Sequence, residues 1–166
     1  MPPRFPQSSL IADLPDDALA AMSELATLCQ YGPSDILFRR GERADGLYMV
    51  RNGQVALEYG DEEEARYVVD VAGAGQVLGW SWLFPPYQWQ FDARATKRTQ
   101  IIRIDGNGLR ERCDHDSSVG LELYKRFSYI ILDRLHAARR QLAGVRGPAH
   151  KRRRVFAEGG NTNSRA

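Results

Sequence analysis

The hydrophobic period changes twice along this chain, and no other sequence feature limits its fold so strongly. Between Ile36 and Asp105, apolar and polar residues alternate in short runs, which is the period of half-buried strands. Glycine-containing turns, among them Asn52-Gly53 and Gly60-Asp61, separate these runs. Strands this short and evenly spaced predict a small antiparallel roll or barrel. The Asn52-Gly53 pair also predicts a type I′ hairpin between two paired strands.

The segments on either side carry the 3.6-residue period of helices. Residues 15–29 predict one helix, because Pro15 suits a first turn and apolar residues recur along one face. Residues 118–143 predict a longer helix, whose apolar residues recur like those of a coiled-coil seam. We expect Gly144 and Gly147-Pro148 to end this helix. The fold class is therefore mostly β with flanking helices: an antiparallel, jelly-roll-like β-roll, an N-terminal helix and a long C-terminal helix.

The apolar stripe of the long helix extends further than a small roll can cover. Its first part is Val119, Leu123, Phe127 and Ile130. We expect a homodimer interface along the helix, formed by Phe127, Ile131, Leu135, Ala138 and Leu142. The alternative is that the whole apolar face packs against the roll of the same chain.

The 166 residues are enough for one domain with a hydrophobic core, which we place at residues 10–143. Residues 1–9 are expected to be a disordered lead-in, and residues 144–166 a basic disordered tail. Residues 134–154 contain eight Lys and Arg and no Asp or Glu. This run fits either a solvated helix end or a contact with nucleic acid phosphates. The acidic residues 61–64 fit a solvated hairpin tip.

Composition and motifs favour a non-catalytic cytoplasmic protein. Cys29 and Cys113 lack metal-finger or redox-motif spacing, which indicates two reduced thiols. The N-terminus has no apolar signal segment, and no stretch reaches the ~18 apolar residues of a membrane span. The three histidines are scattered, so no metal site is expected. No Ser-His-Asp arrangement, phosphate-binding glycine loop or carboxylate pair indicates a catalytic site.

Residues 80–95 contain all three tryptophans, Trp80, Trp82 and Trp89, together with Phe84, Tyr87 and Phe91. Aromatic rings offer large areas to bury, so this segment is expected to line a pocket, fill a core or form an interface.

Three motifs give the chain a family resemblance. They are residues 36–42 (ILFRRGE), 45–55 (DGLYMVRNGQV) and 75–79 (GQVLG). With the order helix, β-roll and long helix, they make residues 10–143 resemble the cyclic-nucleotide-binding domain family, to which the catabolite activator protein belongs. The family's transcription factors carry a helix-turn-helix after the long helix. The residues after 143 are too few for that module, so we expect no sequence-specific DNA binding from this chain alone.

The resemblance implies a phosphate-binding cassette with the pattern Phe-Gly-Glu-x-Ala-Leu, a short helical turn and Arg-x-Ala-Thr-Val-x-Ala. In the family, helix amides and the arginine bind the phosphate, and the glutamate accepts a ribose hydroxyl. Aligned without gaps, Leu78-Gly79 match the opening and Ala95 the last alanine. Trp80 then stands at the glutamate position, and Trp89, nine residues later, stands at the arginine position. The segment therefore keeps the length of the cassette and loses its charges.

Losing two charge-assisted interactions would weaken cyclic nucleotide binding by ~3–6 kcal/mol, or about 10²–10⁴ in affinity. Arg94 lies five positions beyond the arginine position and on a strand, so it could replace the missing charge only if the loop were rebuilt. The expected ligand-site residues are Gly79, Trp80, Ser81, Trp82, Trp89, Gln90, Phe91 and Arg94.

These observations predict a stand-alone, dimeric regulatory or sensor module that acts on another protein or an unidentified small molecule. No cofactor is expected, and cyclic AMP or cyclic GMP is disfavoured. Two alternatives stay open. One is a genuine cyclic nucleotide sensor that uses Arg94, and the other is a transcription-associated regulator that contacts nucleic acid through its basic C-terminus.

Overall fold

The part of the chain that the structure describes forms eight strands and three α-helices. The computed structural model describes residues 3–6, 11, 13–60 and 66–154, with side chains described up to residue 144. The helices are α1 (Asp16–Glu24), α2 (Gly106–His115) and α3 (Ser117–Arg154). The strands are β1 (Ala26–Tyr31), β2 (Ile36–Phe38), β3 (Gly46–Asn52), β4 (Gln54–Tyr59), β5 (Tyr67–Gly73), β6 (Val77–Leu78), β7 (Asp92–Ala95) and β8 (Thr99–Asp105).

The described strands form two antiparallel four-stranded sheets, with the orders β1-β8-β3-β6 and β2-β7-β4-β5. Both sheets contribute apolar residues to the core. Fully buried examples are Leu47, Met49, Val55, Ala93, Ile101 and Ile104. The alternation of apolar and polar residues therefore gave the correct fold class, a β-roll with a helix on the N-terminal side and a long helix on the C-terminal side.

The N-terminal helix is shorter than the sequence predicts. It ends at Glu24, and the predicted helical residues 26–29 belong to β1 instead. β1 pairs with β8 along its whole length, from Ala26 opposite Ile104 to Tyr31 opposite Thr99. The backbone hydrogen bonds of this long-range pairing replace those of a continued helix, because tertiary context overrides a weak local propensity.

The prediction of a type I′ hairpin at Asn52-Gly53 is wrong. β3 pairs with β6 and β8, whereas β4 pairs with β5 and β7, so the two strands lie in different sheets. Gly53 has a φ of +100°, and a Cβ placed there would lie 2.4 Å from the Thr99 hydroxyl oxygen. Only glycine fits this passage between the sheets. The Thr99 hydroxyl secures it by accepting the Gln54 N–H at 3.1 Å.

The long helix continues to Arg154, past Gly144 and Pro148, so the predicted stop at these residues is wrong. Gly144 only lowers the helix propensity and Pro148 removes one N–H donor, and neither ends the helix here. The chain divides into two compact units, Met1–Arg126 and Phe127–Ala166, and α3 contributes to both. No helix within the described ranges is long and apolar enough to cross a membrane.

Several sequence predictions fall on residues outside those that the structure describes. They are the acidic residues 61–64, most of the lead-in 1–9, and residues 155–166 of the predicted tail. The side chains of the basic residues 145–154 also lie outside the description.

Candidate functional site

Residues 80–91, which we call the aromatic loop, connect β6 to β7. The loop begins with a 3₁₀ turn at Ser81–Leu83, where the Leu83 amide donates to the Trp80 carbonyl at 3.0 Å. A second turn is closed by the Tyr87 amide, which donates to the Phe84 carbonyl at 2.9 Å. Tyr87 has a φ of 55°, a backbone region that non-glycine residues rarely adopt. The short helical turn that the family resemblance implies is therefore present as a 3₁₀ turn.

The second half of the aromatic loop is held against the segment between β2 and β3. Arg43 and Gln88 form an isolated antiparallel bridge. Trp89 exchanges two backbone hydrogen bonds with this segment, accepting from Gly41 at 2.9 Å and donating to Glu42 at 3.0 Å. These backbone bonds fix the position of the Trp89 Cα and restrict where its side chain can reach.

The indole of Trp89 is buried, with only 3% of the residue exposed. It stacks on Phe38, with ring centroids 4.0 Å apart and planes 18° apart, and it meets Tyr48 edge-on at 5.9 Å. Gly79 lies directly against the same indole, because a Cβ built at Gly79 would be 3.1 Å from two of its ring carbons. The ring therefore occupies the space between the start of the aromatic loop and β2.

Trp82 is fully buried, and its Cβ lies 3.1 Å from the position that a Cβ on Gly106 would take. This contact places the first residue of α2 against the 3₁₀ turn. Trp80 and Ser81 are half-buried, and Gln90 is exposed. Of the three tryptophans, two thus belong to the core and one lies at its edge.

Phe91 and Phe84 are exposed to 37% and 58%. Phe91 contacts the ring of Tyr59 edge-on at a centroid distance of 6.1 Å. The guanidinium of Arg40 lies 4.8 Å above the same tyrosine ring. The aromatic loop thus sends some of its rings into the core and presents others on the surface.

A polar cluster borders the Trp89 ring. Arg103 donates to the Asp45 carboxylate at 2.7 Å, and its Nε lies 3.4 Å from the Tyr48 hydroxyl. The same hydroxyl lies 3.4 Å from the other Asp45 oxygen. Burial raises the pKa of Tyr48 to about 12, despite the opposing hydrogen bond from Arg103. The Tyr48 phenol therefore stays neutral at physiological pH and supports the aromatic stack.

Arg94 lies on β7 and forms a two-point ion pair with Glu58 on β4. The carboxylate is almost fully buried, with 2% of the side chain exposed, whereas 37% of the Arg94 side chain is exposed. Asp92, the cross-strand neighbour of Glu58, accepts the Arg40 amide at 2.7 Å and lies 3.6 Å from the Arg66 guanidinium. The negative charges of these two neighbouring carboxylates are thus balanced by different groups, and Arg94 pairs with Glu58.

The comparison with known families gives a direct assignment. The model of the cyclic nucleotide-binding domain matches residues 28–116, more than half of the chain. The chain belongs to the cyclic nucleotide-binding domain family.

Relatives of known structure share this domain's fold. A candidate cyclic nucleotide-binding protein from Geobacter metallireducens is 27% identical, with a TM-score of 0.67 over 76% of this chain and 92% of that one. The catabolite activator protein of Thermus thermophilus is 17% identical, with a TM-score of 0.64 over 82% of this chain and 62% of that one. At this lower identity the likeness concerns the fold alone.

A curated relative named as a candidate potassium channel protein, from Rhodopseudomonas palustris, is 25% identical over 114 residues. The match covers 69% of this chain and 27% of the relative. The chain therefore spans about a quarter of the length of that protein.

Within this cyclic nucleotide-binding domain, the predicted site residues separate into groups. Gly79 and Trp89 are buried against each other, Trp82 is buried against Gly106, and Gln90 and Phe91 are exposed. Arg94 lies on the following strand in its ion pair with Glu58. Sequence reasoning missed Phe38, Tyr48 and Glu58 as partners of these residues. An acidic residue inside the apolar run 55–59 (VALEY) was the one signal that could have indicated a buried ion pair.

The predicted dimer residues also differ in their surroundings. Phe127 is buried in a single copy, with 1% exposed. Ile131 is half-buried and Ala138 is exposed, whereas Leu135 and Leu142 are exposed to 44% and 60%. Within the described residues, no group of three or more His, Cys, Asp or Glu side chains could hold a metal ion.

Proposed function

We propose that this domain is a regulatory module whose cassette is filled by its own aromatic side chains. In this proposal cyclic AMP and cyclic GMP are not its ligands. The observation that carries the proposal is the position of the Trp89 ring, between Gly79 and Phe38. In the family pattern, the residue at this position is an arginine that reaches a phosphate, and the glycine opens the cradle of amides.

The energetic cost of opening such a site supports the proposal. Truncating a buried aromatic side chain typically costs about 3–5 kcal/mol, which sets the scale for displacing the Trp89 ring from its contacts. A ligand that must first displace this ring loses roughly 10²–10⁴ in affinity. The missing arginine and glutamate would weaken cyclic nucleotide binding further, by the ~3–6 kcal/mol of two charge-assisted interactions.

The ion pair of Arg94 argues against the alternative in which Arg94 binds the phosphate. To reach a ligand, the guanidinium would have to leave Glu58, whose carboxylate is 2% exposed. An unpaired buried carboxylate is strongly unfavourable, because its desolvation is no longer compensated. Arg94 therefore serves the fold of the second sheet in this proposal.

We further propose that the domain acts as a homodimer, through the face of α3 that carries Leu135 and Leu142. These leucines are seven positions apart, the repeat of a coiled-coil seam, and both are exposed in one copy. Ile131 and Ala138 lie at the intervening coiled-coil spacing. Phe127 is left out of this surface, because it is already buried.

Calorimetric titration with cyclic AMP and cyclic GMP tests the cassette part of the proposal. We expect no heat of binding with nucleotide at about 100 µM, well above the range of a working sensor site. Micromolar binding that disappears in Arg94→Ala would instead establish the Arg94 alternative. Sedimentation of the wild type, Leu135→Glu and the control Gln141→Glu tests the dimer, which only Leu135→Glu should dissociate. A monomeric wild type at about 100 µM would rule out a dimer of functional strength.

A further inference from the structure

Arg110 of α2 makes three contacts. Two of them reach the aromatic loop, and the third lies within α2 itself. One of its terminal nitrogens donates to the carbonyl of Trp82, in the 3₁₀ turn of the aromatic loop. Its guanidinium carbon lies 4.4 Å above the ring of Tyr87. Its other terminal nitrogen donates to the Asn107 side chain, one turn earlier on α2. One side chain thus holds both turns of the aromatic loop and is itself oriented by its own helix.

The start of α2 is also held against the 3₁₀ turn of the aromatic loop. The Gly106 amide donates to the Asp45 carbonyl at 2.9 Å, and Gly106 lies against the Cβ of Trp82. A Cβ at position 106 would meet heavy atoms at 3.1–3.2 Å, so this contact leaves little room for a side chain. The 3₁₀ turn of Trp82 and the first turn of α2 are therefore in direct contact.

The same contacts continue into the first turns of α3. The Cys113 thiol of α2 interacts with the Tyr124 hydroxyl of α3, and burial raises the pKa of both groups. Arg110 lies close enough to Tyr124 for its positive charge to favour the tyrosinate form. Arg110, which touches the aromatic loop, thus also lies near the helix that follows α2.

We propose that Arg110 is a latch that couples the conformation of the aromatic loop to α2. With Trp82 and Tyr87 in place, the guanidinium holds loop and helix as one unit. When the loop moves, both contacts break together and α2 loses its outer anchor. This inference rests on the proposed regulatory function, for which it names the residue that passes a change in the loop to the helices.

The backbone of Tyr87 is fixed in an unusual conformation, with a φ of 55°. Its carbonyl accepts the Ala44 amide at 2.7 Å, and its amide closes the turn with Phe84. Both backbone groups are thus satisfied, and the guanidinium of Arg110 lies over the ring.

A double-variant cycle followed by hydrogen exchange tests the latch without any ligand. The proteins are the wild type, Arg110→Ala, Tyr87→Leu and the double variant, with Arg112→Ala as a control from the same helix. We expect Arg110→Ala to accelerate exchange roughly tenfold in both α2 and residues 81–87, as lost charged hydrogen bonds predict. Tyr87→Leu should accelerate exchange in α2 about 2–5-fold, the scale of a lost cation–π contact. In the Arg110→Ala background, that effect of Tyr87→Leu should vanish.

An equal effect of Tyr87→Leu on α2 in both backgrounds would overturn the latch, as would an Arg110→Ala effect confined to one element. If Arg110→Ala does not fold, Arg110→Lys replaces it in the cycle. Lysine keeps a charge and loses the two-point fork, so exchange at residues 81–83 should rise while the Tyr87 coupling persists. Unchanged exchange at residues 81–83 in Arg110→Lys would also reject the proposal. Because no nucleotide is present, the result does not depend on whether the cassette is closed to cyclic nucleotides.

Discussion

The ring of Trp89 stacks on that of Phe38, with centroids 4.0 Å and planes 18° apart, although the two residues are far apart in the sequence. Phe38 ends β2, and Trp89 lies three residues before β7, the strand that pairs with β2. The stack therefore connects the aromatic loop to the core of the second sheet. It makes the loop a structural part of the roll, and our first prediction follows from this role.

Trp89→Ala should destabilise the domain by about 3–5 kcal/mol, the cost of removing a buried aromatic ring. Phe84→Ala, in the same loop, should change stability by less than about 0.5 kcal/mol, because Phe84 is 58% exposed. Urea unfolding monitored by circular dichroism measures both free energies. Equal, small effects of the two substitutions would mean that Trp89 does not anchor the loop.

Arg94→Ala should destabilise the domain by roughly 1–3 kcal/mol, because it leaves the buried Glu58 carboxylate without its main partner. The double variant Glu58→Met/Arg94→Met should recover most of this loss, since no buried charge is then left uncompensated. Thermal and urea unfolding of the wild type and both variants provide the measurement. A double variant less stable than Arg94→Ala alone would show that the pair contributes more than mutual compensation.

Tyr48 should give the domain a distinct alkaline transition. Burial raises its pKa to about 12, so the folded state favours the neutral phenol. The resulting stability is fully present below the ordinary tyrosine pKa of about 10 and is lost as pH rises through about 12. The wild type should therefore lose up to roughly 2–3 kcal/mol more than Tyr48→Phe across this range. If the unfolding free energies of the two proteins stay parallel up to about pH 12, the Tyr48 hydroxyl is not the group responsible.

Asp116 caps α3, and its removal should be visible at neutral pH. Its carboxylate accepts the Val119 amide at 3.2 Å and the Ser118 hydroxyl at 3.0 Å, and these bonds hold its pKa below the usual range. Because the folded pKa is lowered, the charged cap stabilises the domain above the ordinary pKa and loses this effect as pH falls through the folded value.

We therefore expect Asp116→Ala to lower the melting temperature at neutral pH more than Asp116→Asn, which keeps an acceptor. The difference between wild type and Asp116→Asn should disappear in acid. Melting curves followed by circular dichroism across the acid range test both statements. A wild-type advantage over Asp116→Asn that persists in strong acid would assign it to something other than the charge.

The sequence was sufficient for the parts of the fold that are set by local pattern. Alternating residues and turn glycines between Ile36 and Asp105 predict the roll, because each strand carries its own apolar face. β1 was missed, since residues 26–29 continue a helical stripe and become a strand only by pairing with β8, far along the chain. The hairpin prediction at Asn52-Gly53 is wrong for a related reason. A turn motif does not indicate in which sheet the next strand lies.

The candidate site likewise combines a feature that the local sequence predicts with contacts that depend on long-range pairing. The spacing of the family motif placed Trp89 at the arginine position, but the direction of its ring depends on Phe38 and Tyr48, which are distant in sequence. The ion pair of Arg94 joins residues 36 positions apart on adjacent strands. Such pairings follow from sheet register, which a single sequence does not specify when both strands are short.

The central claim is that the cassette is closed by its own indole rings, and tryptophan emission during a nucleotide titration tests it most directly. All three tryptophans lie in or next to the site, so an occupant would change their surroundings. We predict no saturable change in emission with cyclic AMP or cyclic GMP up to about 100 µM. A response that saturates below about 10 µM would contradict the account, because it requires an open and charged cassette.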